Sequence, residues 1–186
     1  LAEMKAALAP LGWKLRLVSD FGGEAPDEAG LSFVENALLK ARYAAQISGL
    51  PAIADDSGLE VDALEGAPGV HSARYAGEDA DDTANNQKLL RALKNIPDDR
   101  RGARFYCVMV YLRSAEEATP VIAQGQWRGV IAHNPRGANG FGYDSLFLLP
   151  DQKCTSAELD PVLKNKLSHR GKAAKHLYSL LHDGHY

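Results

Sequence analysis

The chain has 186 residues, 45% hydrophobic and 24% charged, with 21 Lys and Arg against 24 Asp and Glu for a net charge of −3. That length suits a single domain, 1–186, whose core needs no disulfide or metal staple, and the composition excludes disorder and low complexity. No apolar run reaches the ~20 residues of a membrane span, and the charge balance excludes a general binder of nucleic acid or anionic membrane.

The predicted elements follow in chain order. Residues 2–9 read as a helix stopped by Pro10 and Gly12. Trp13, Leu15 and Leu17 alternate, which predicts a strand over 13–18. Residues 19–30 form an acidic, glycine-containing loop. Ser32 offers an N-cap with Glu35 three residues on, as in a capping box, and apolar residues from Phe33 to Ala45 follow at helical spacing until Gly49 and Pro51. A short strand, 52–54, runs into a turn at Asp55-Asp56-Ser57-Gly58, after which Leu59, Val61 and Ala63 alternate. A helix is predicted near 83–95, closed by Pro97. Residues 103–112 are apolar on both faces and read as a central strand covered on both sides, with 120–132 as its partner. A glycine-rich loop spans 135–142, a buried strand 145–149, and helices are expected near 156–166 and 168–182. This irregular interleaving predicts an α/β fold with a mixed sheet.

Cys107 and Cys154 are too few for a disulfide framework and lack zinc spacing, and no secretory segment opens the chain at Leu1. A reducing, cytoplasmic setting is expected. Chemistry concentrates in a few places. Asp55 and Asp56 follow a strand in the kind of position where α/β sheets bind ligands, and a carboxylate there can hold Mg²⁺ or accept a proton from water. The plainer reading is a capped turn. Between Pro135 and Asp144, glycines let backbone N–H groups approach a ligand, and Phe141 and Tyr143 offer stacking faces; a hairpin with rings folded onto the core is the alternative. From Pro161 to His182 there is no acidic residue. His169 and Arg170 would lie in a helix's first turn, where they oppose the helix dipole unless an anion or electron-rich base justifies them. The acidic loop with Glu28 could add a metal carboxylate. Together these are the parts needed to hold a nucleoside triphosphate, although no Walker loop or dinucleotide fingerprint is present.

Four segments, SFVENALLKARYAA, LPAIADDSGLEVDALEGAPGVHSARYAG, GFGYD and LSHRGKAAKHL, occur in this order between Leu31 and Leu181. They resemble the inosine/xanthosine triphosphate pyrophosphatases. The resemblance implies hydrolysis of dITP, ITP and XTP to the monophosphate and pyrophosphate, dependence on Mg²⁺, and a homodimer. It also implies an elongated mixed sheet with helices on both faces and two lobes flanking the active site. Residue by residue, Asp56 matches the general base and metal ligand, and Ser57 a substrate contact. Phe141, Gly142, Tyr143 and Asp144 match the base-pocket segment, with Phe141 as the stacking ring. Lys164 matches a substrate contact, His169 and Arg170 match residues that hold the base, and Glu28 aligns with a second metal carboxylate. The sequence departs from the family in three places. Ser145 replaces a usual proline, and Cys154 stands near a usual lysine. The opening strand with its phosphate-gripping Thr/Ser-x-Asn-x-x-Lys motif has no counterpart, because Leu1 falls within the next helix; a truncated or disordered start is expected rather than its true loss.

Overall fold

The computed structural model describes residues 4–5, 8–23 and 26–183. Helices α1 (Phe33–Ser48), α2 (Asp82–Ala92), α3 (Pro161–Leu167) and α4 (His169–Asp183) accompany strands β1 (Ala52–Val61), β2 (Gly102–Leu112), β3 (Val121–Ile131), β4 (Phe147–Leu149) and β5 (Cys154–Thr155). The strands form one sheet in the order β1-β2-β3-β4-β5. The α/β class matches the sequence reading. The β3–β4 and β4–β5 pairings are antiparallel, with Ile131 opposite Phe147 and Leu149 opposite Cys154. Two compact units divide the chain: Leu1–Ser57, Cys107–Gly125 and His169–Tyr186 in the first, Gly58–Tyr106 and Gln126–Ser168 in the second.

In the first unit, α1 starts as its sequence dictates. The Ser32 hydroxyl donates to Glu35 Oε2 at 2.7 Å and accepts from the Glu35 N–H at 3.4 Å, and Gly49 ends the helix at φ 64°. Its buried face is Phe33, Asn36, Ala37, Ala41 and Ala45, an apolar stripe with one polar member. The Arg42 guanidinium ties the helix to the carbonyls of Ala115 and Glu117. Cys107, Met109 and Tyr111 of β2 and Val121 and Ala123 of β3 pack with Ala173, Ala174, Leu177 and Leu181 of α4. Glycine is required at Gly125, where a Cβ would lie 2.1 Å from the His169 carbonyl oxygen and 2.5 Å from the Ala173 nitrogen. The absent side chain is what lets the start of α4 lie directly on β3.

The second unit has its own core. Leu59 and Val61 of β1, Phe105 of β2, Trp127 and Ile131 of β3 and Phe147 of β4 pack with Leu89 and Leu93 from α2 and its end. The Phe105 and Phe147 rings lie 4.5 Å apart, and Trp127 stands 5.5 Å from Phe147. Buried Arg101 donates to the carbonyls of Ile131, Leu93 and Ala132 at 2.8, 2.8 and 3.1 Å, which satisfies its guanidinium without a carboxylate.

Several elements differ from expectation. Residues 13–17 belong to no strand, and Val18–Phe21 turns into a 3₁₀ helix. Alternation predicts extended backbone, but a strand also needs a ladder partner, and Trp13 and Leu17 are left 37% and 46% exposed. The predicted turn at residues 55–58 is absent: β1 runs straight through it for ten residues. Asp and Gly are weak strand formers, and here pairing with the sheet overrides that preference. Only the second half of β2 is buried on both faces; its first half alternates. The strand expected over 145–149 shrinks to three residues, because the N–H groups of Leu146 and Phe147 bond back to the Tyr143 carbonyl as a helical turn. The helix expected over 156–166 is broken, with a 3₁₀ turn at Ser156–Glu158 followed by Asp160 capping α3 ahead of Pro161. The helix expected over 2–9 lies partly outside the described residues; Met4, Lys5 and Leu8 are helical.

Candidate active site

In the first unit, the two adjacent aspartates stand on a strand, so their side chains leave it in opposite directions. Asp56 faces α1. Lys40 donates to Asp56 Oδ1 at 2.7 Å, and Asn36, one helical turn earlier, donates to Oδ2 at 3.4 Å. The same Lys40 ammonium meets Glu28 Oε1 at 2.9 Å, so two carboxylates bracket one cation. Asp55 points the other way and pairs with Arg170 of α4 at 3.3 Å, with the Ser57 hydroxyl on the same oxygen at 3.3 Å. Each carboxylate therefore has its own cation, and the repulsion expected of neighbouring acids is relieved by strand alternation rather than by a turn.

Asp56 is only 6% exposed. Burial pushes its carboxyl above the ordinary carboxylate range, while Lys40 and Asn36 pull it down. For Lys40, burial works against the charge, but the hydrogen bonds and charges of Asp56 and Glu28 prevail and hold the ammonium above its usual value. The corner thus combines a permanent cation with a carboxylate of strengthened basicity. Cys107 lies close by, but burial pushes its thiol up to about 12, so it is inert packing.

In the second unit, the 140–144 turn is organised by Asp144. Its Oδ2 accepts the Phe141 N–H at 2.9 Å and the Lys164 ammonium at 2.5 Å, and its Oδ1 accepts the Ser156 hydroxyl at 2.7 Å. Gly140, at φ 83°, must be glycine: a Cβ would fall 2.1 Å from Asp144 Oδ2. Tyr143 is 4% exposed, belongs to the core and donates its hydroxyl to the Ser72 carbonyl at 2.8 Å. Phe141 is the opposite case, 63% exposed, with the Lys164 ammonium 5.6 Å from its ring centroid. The Gly142 peptide groups bond to Asp82 and Asn86 of α2.

The structure thus gathers Asp56 and Glu28 around Lys40, and sets Ser57 and Arg170 on Asp55. His169 opens α4 beside Arg170, within the same unit. Phe141, Gly142, Tyr143, Asp144 and Lys164 form one cluster in the second unit. Sequence reasoning missed Asn36, Lys40, Ser156, Asp82 and Asn86. One signal was available: Asn36 stands in the apolar stripe of α1, and a polar residue in such a stripe needs a buried partner. Lys40 is four residues on, on the same face.

A family model for the Ham1 family matches residues 1–180. The chain belongs to the Ham1 family. It is 56% identical over 181 residues to the dITP/XTP pyrophosphatase of Yersinia pestis, covering 97% of this chain and 92% of that protein. It is 52% identical over 182 residues to the dITP/XTP pyrophosphatase of Escherichia coli K12, covering 98% and 92%. Among solved structures, a HAM1 protein from Coxiella burnetii superimposes with a TM-score of 0.93 at 47% identity, covering 98% of this chain and 92% of that one. A nucleoside-triphosphatase / dITP/XTP pyrophosphatase from Mycobacterium abscessus gives 0.79 at 43% identity, covering 97% and 93%.

Proposed function

We propose that this Ham1-family chain hydrolyses the non-canonical purine nucleoside triphosphates dITP, ITP and XTP to the monophosphate and pyrophosphate. The observation that carries this reading is the bracketed Glu28–Lys40–Asp56 corner, in a chain more than half identical to dITP/XTP pyrophosphatases over nearly its whole length. Water attacks the α-phosphorus, its proton passes to an Asp56 carboxylate oxygen, and the bond to the α–β bridging oxygen breaks to release pyrophosphate. A buried carboxylate of raised basicity suits that proton transfer, which contributes about 10²–10⁴ in rate. Asn36 and Lys40 hold its two oxygens in place, and the Lys40 charge stabilises negative charge developing nearby.

Mg²⁺ fits the donor set. Glu28 and Asp56 already accept one cationic group between them, and two carboxylates completed by substrate phosphate oxygens are ligands this hard cation takes. When bound, Mg²⁺ supplies neutralisation of phosphate charge. Ser57, on the Asp55 face of β1, contacts substrate. Phe141 stacks on the purine, with Gly142, Tyr143 and Asp144 shaping its turn; Lys164, His169 and Arg170 supply donors to the base. Selectivity follows from donors aimed at the 6-keto oxygen: adenine's amino group would set donor against donor and lose the bond. The reading includes a cytoplasmic homodimer, as the family resemblance implies. Among the described residues no helix is long and apolar enough to cross a membrane.

The test is a substrate panel with Mg²⁺, comparing dITP, ITP, XTP, ATP and GTP by pyrophosphate release. Pyrophosphate from the first three, with ATP far slower, is expected, and the GTP rate shows whether the 2-position is read as well as the 6-keto oxygen. Orthophosphate as the first product, or ITP binding without turnover in a full-length protein, would overturn the reading.

A further inference from the structure

The exposed Phe141 ring has a supporting problem. A side chain 63% exposed takes its direction in large part from the backbone that carries it. The peptide N–H before Phe141 is tied to Asp144 Oδ2 at 2.9 Å. The next two peptide groups are tied to α2. The Gly142 N–H donates to Asp82 Oδ2 at 2.6 Å, and the Gly142 carbonyl accepts from Asn86 Nδ2 at 2.8 Å. Those two peptide planes are joined by only the φ and ψ rotations of Gly142, which sits at φ 60°. Asp82 and Asn86 lie one turn apart on one helix face, so α2 grips both planes at once.

Asn86 carries a second signal. Its Oδ1 is buried with no hydrogen-bond partner among the described residues. A buried acceptor left unsatisfied costs stability, and an apolar side chain of similar size would fill the space without that cost. Only the other end of the amide is engaged, and the group it serves is the Gly142 carbonyl.

We propose that Asp82 and Asn86 are positioning residues that hold the Phe141 turn in its base-binding geometry and so set substrate affinity rather than the rate of hydrolysis. This rests on Phe141 being the purine platform. Neither residue touches substrate; both act through the backbone of Gly142.

The experiment measures KM and kcat for ITP, by pyrophosphate release with Mg²⁺, in Asp82→Ala, Asp82→Asn, Asn86→Leu, Phe141→Ala and the Asp82→Ala/Phe141→Ala double variant. Losing a charge-assisted backbone bond predicts a KM raised about tenfold in Asp82→Ala with kcat within about twofold of wild type. Asp82→Asn keeps an acceptor oxygen and restores most of the affinity. Asn86→Leu raises KM without a matching drop in melting temperature, because removing the unpartnered Oδ1 offsets the lost bond to the Gly142 carbonyl, a combination a merely structural role would not give. In the double variant KM equals that of Phe141→Ala alone, because Asp82 acts through that ring. Amide exchange at Gly142 quickens in Asp82→Ala. If Phe141→Ala raises KM while Asp82→Ala and Asn86→Leu do not, the clamp is overturned and the platform stands. If Phe141→Ala leaves KM unchanged, the platform itself fails, and the clamp's role in affinity fails with it.

Discussion

The candidate residues of the first unit and those of the second are positioned by different physics. Asp55 and Asp56 sit inside a ten-residue strand, where alternation alone sends one carboxylate to Arg170 and the next to Lys40. Nothing local has to hold the backbone. Phe141 sits in an irregular turn, where every peptide group around the ring has its own partner: Asp144 for one, Asp82 and Asn86 for the next two. A strand supplies direction as a property of the element. A loop must acquire it bond by bond, so a single substitution in the loop loosens a side chain without threatening the fold.

That comparison is broken most severely at Asp56. Asp56→Asn keeps the shape and the Asn36 contact but removes the proton acceptor, and turnover should fall by roughly 10²–10⁴. Asp55→Asn, one residue away, loses an ion pair with Arg170 and should cost far less. A pyrophosphate-release assay on both separates the faces of β1; equal losses would mean that alternation does not divide their roles. Stability should not fall in step. A carboxyl whose folded value is raised contributes stability below its unfolded value and loses it as pH rises through the folded one. Asp56→Asn removes that cost but also one partner of the Lys40 ammonium, so it should melt close to wild type at neutral pH, checked by calorimetry.

Paired glycine substitutions come next. Gly125→Ala drives a methyl group into the His169 carbonyl and the Ala173 nitrogen, both backbone, so the start of α4 must shift. Overpacking of this kind costs about 1–3 kcal/mol, and the melting temperature should drop measurably. Gly140→Ala meets Asp144 and Lys164 side chains at a positive φ. It should show up in KM more than in melting, because the turn deforms while the core of the second unit persists. If the two variants lost stability equally, the contrast between strand-borne and loop-borne groups would not hold.

How far the sequence revealed this site follows the same division. Ser32 and Glu35 wrote the start of α1, and the apolar run wrote β2, because these are local signals of period and cap. Asp56 and Phe141 could be singled out as candidates, since carboxylate pairs and aromatic glycine turns are unusual in themselves. Lys40 could not, because it is 16 residues from Asp56 and reaches it only once α1 lies on β1. Asp82 and Asn86 were further hidden, 60 and 56 residues from the glycine they hold. The turn expected at residues 55–58 failed for the converse reason: local preference favoured a turn, and sheet pairing decided otherwise.

The smallest expected effect concerns the acid side of the pH profile. Catalysis needs the Asp56 carboxylate ionised, so activity falls as pH drops through its folded value. Burial has raised that value, and Lys40 at 2.7 Å is the main influence pulling it back down. Lys40→Met removes that pull and leaves the burial, so the acid limb of kcat/KM should move to higher pH. Lys40→Arg keeps a positive charge near Glu28 and Asp56, and its limb should stay closer to that of wild type. A loss of activity in Lys40→Met that is uniform across pH would instead assign Lys40 to the substrate phosphates alone, with Asp56 titrating independently of it.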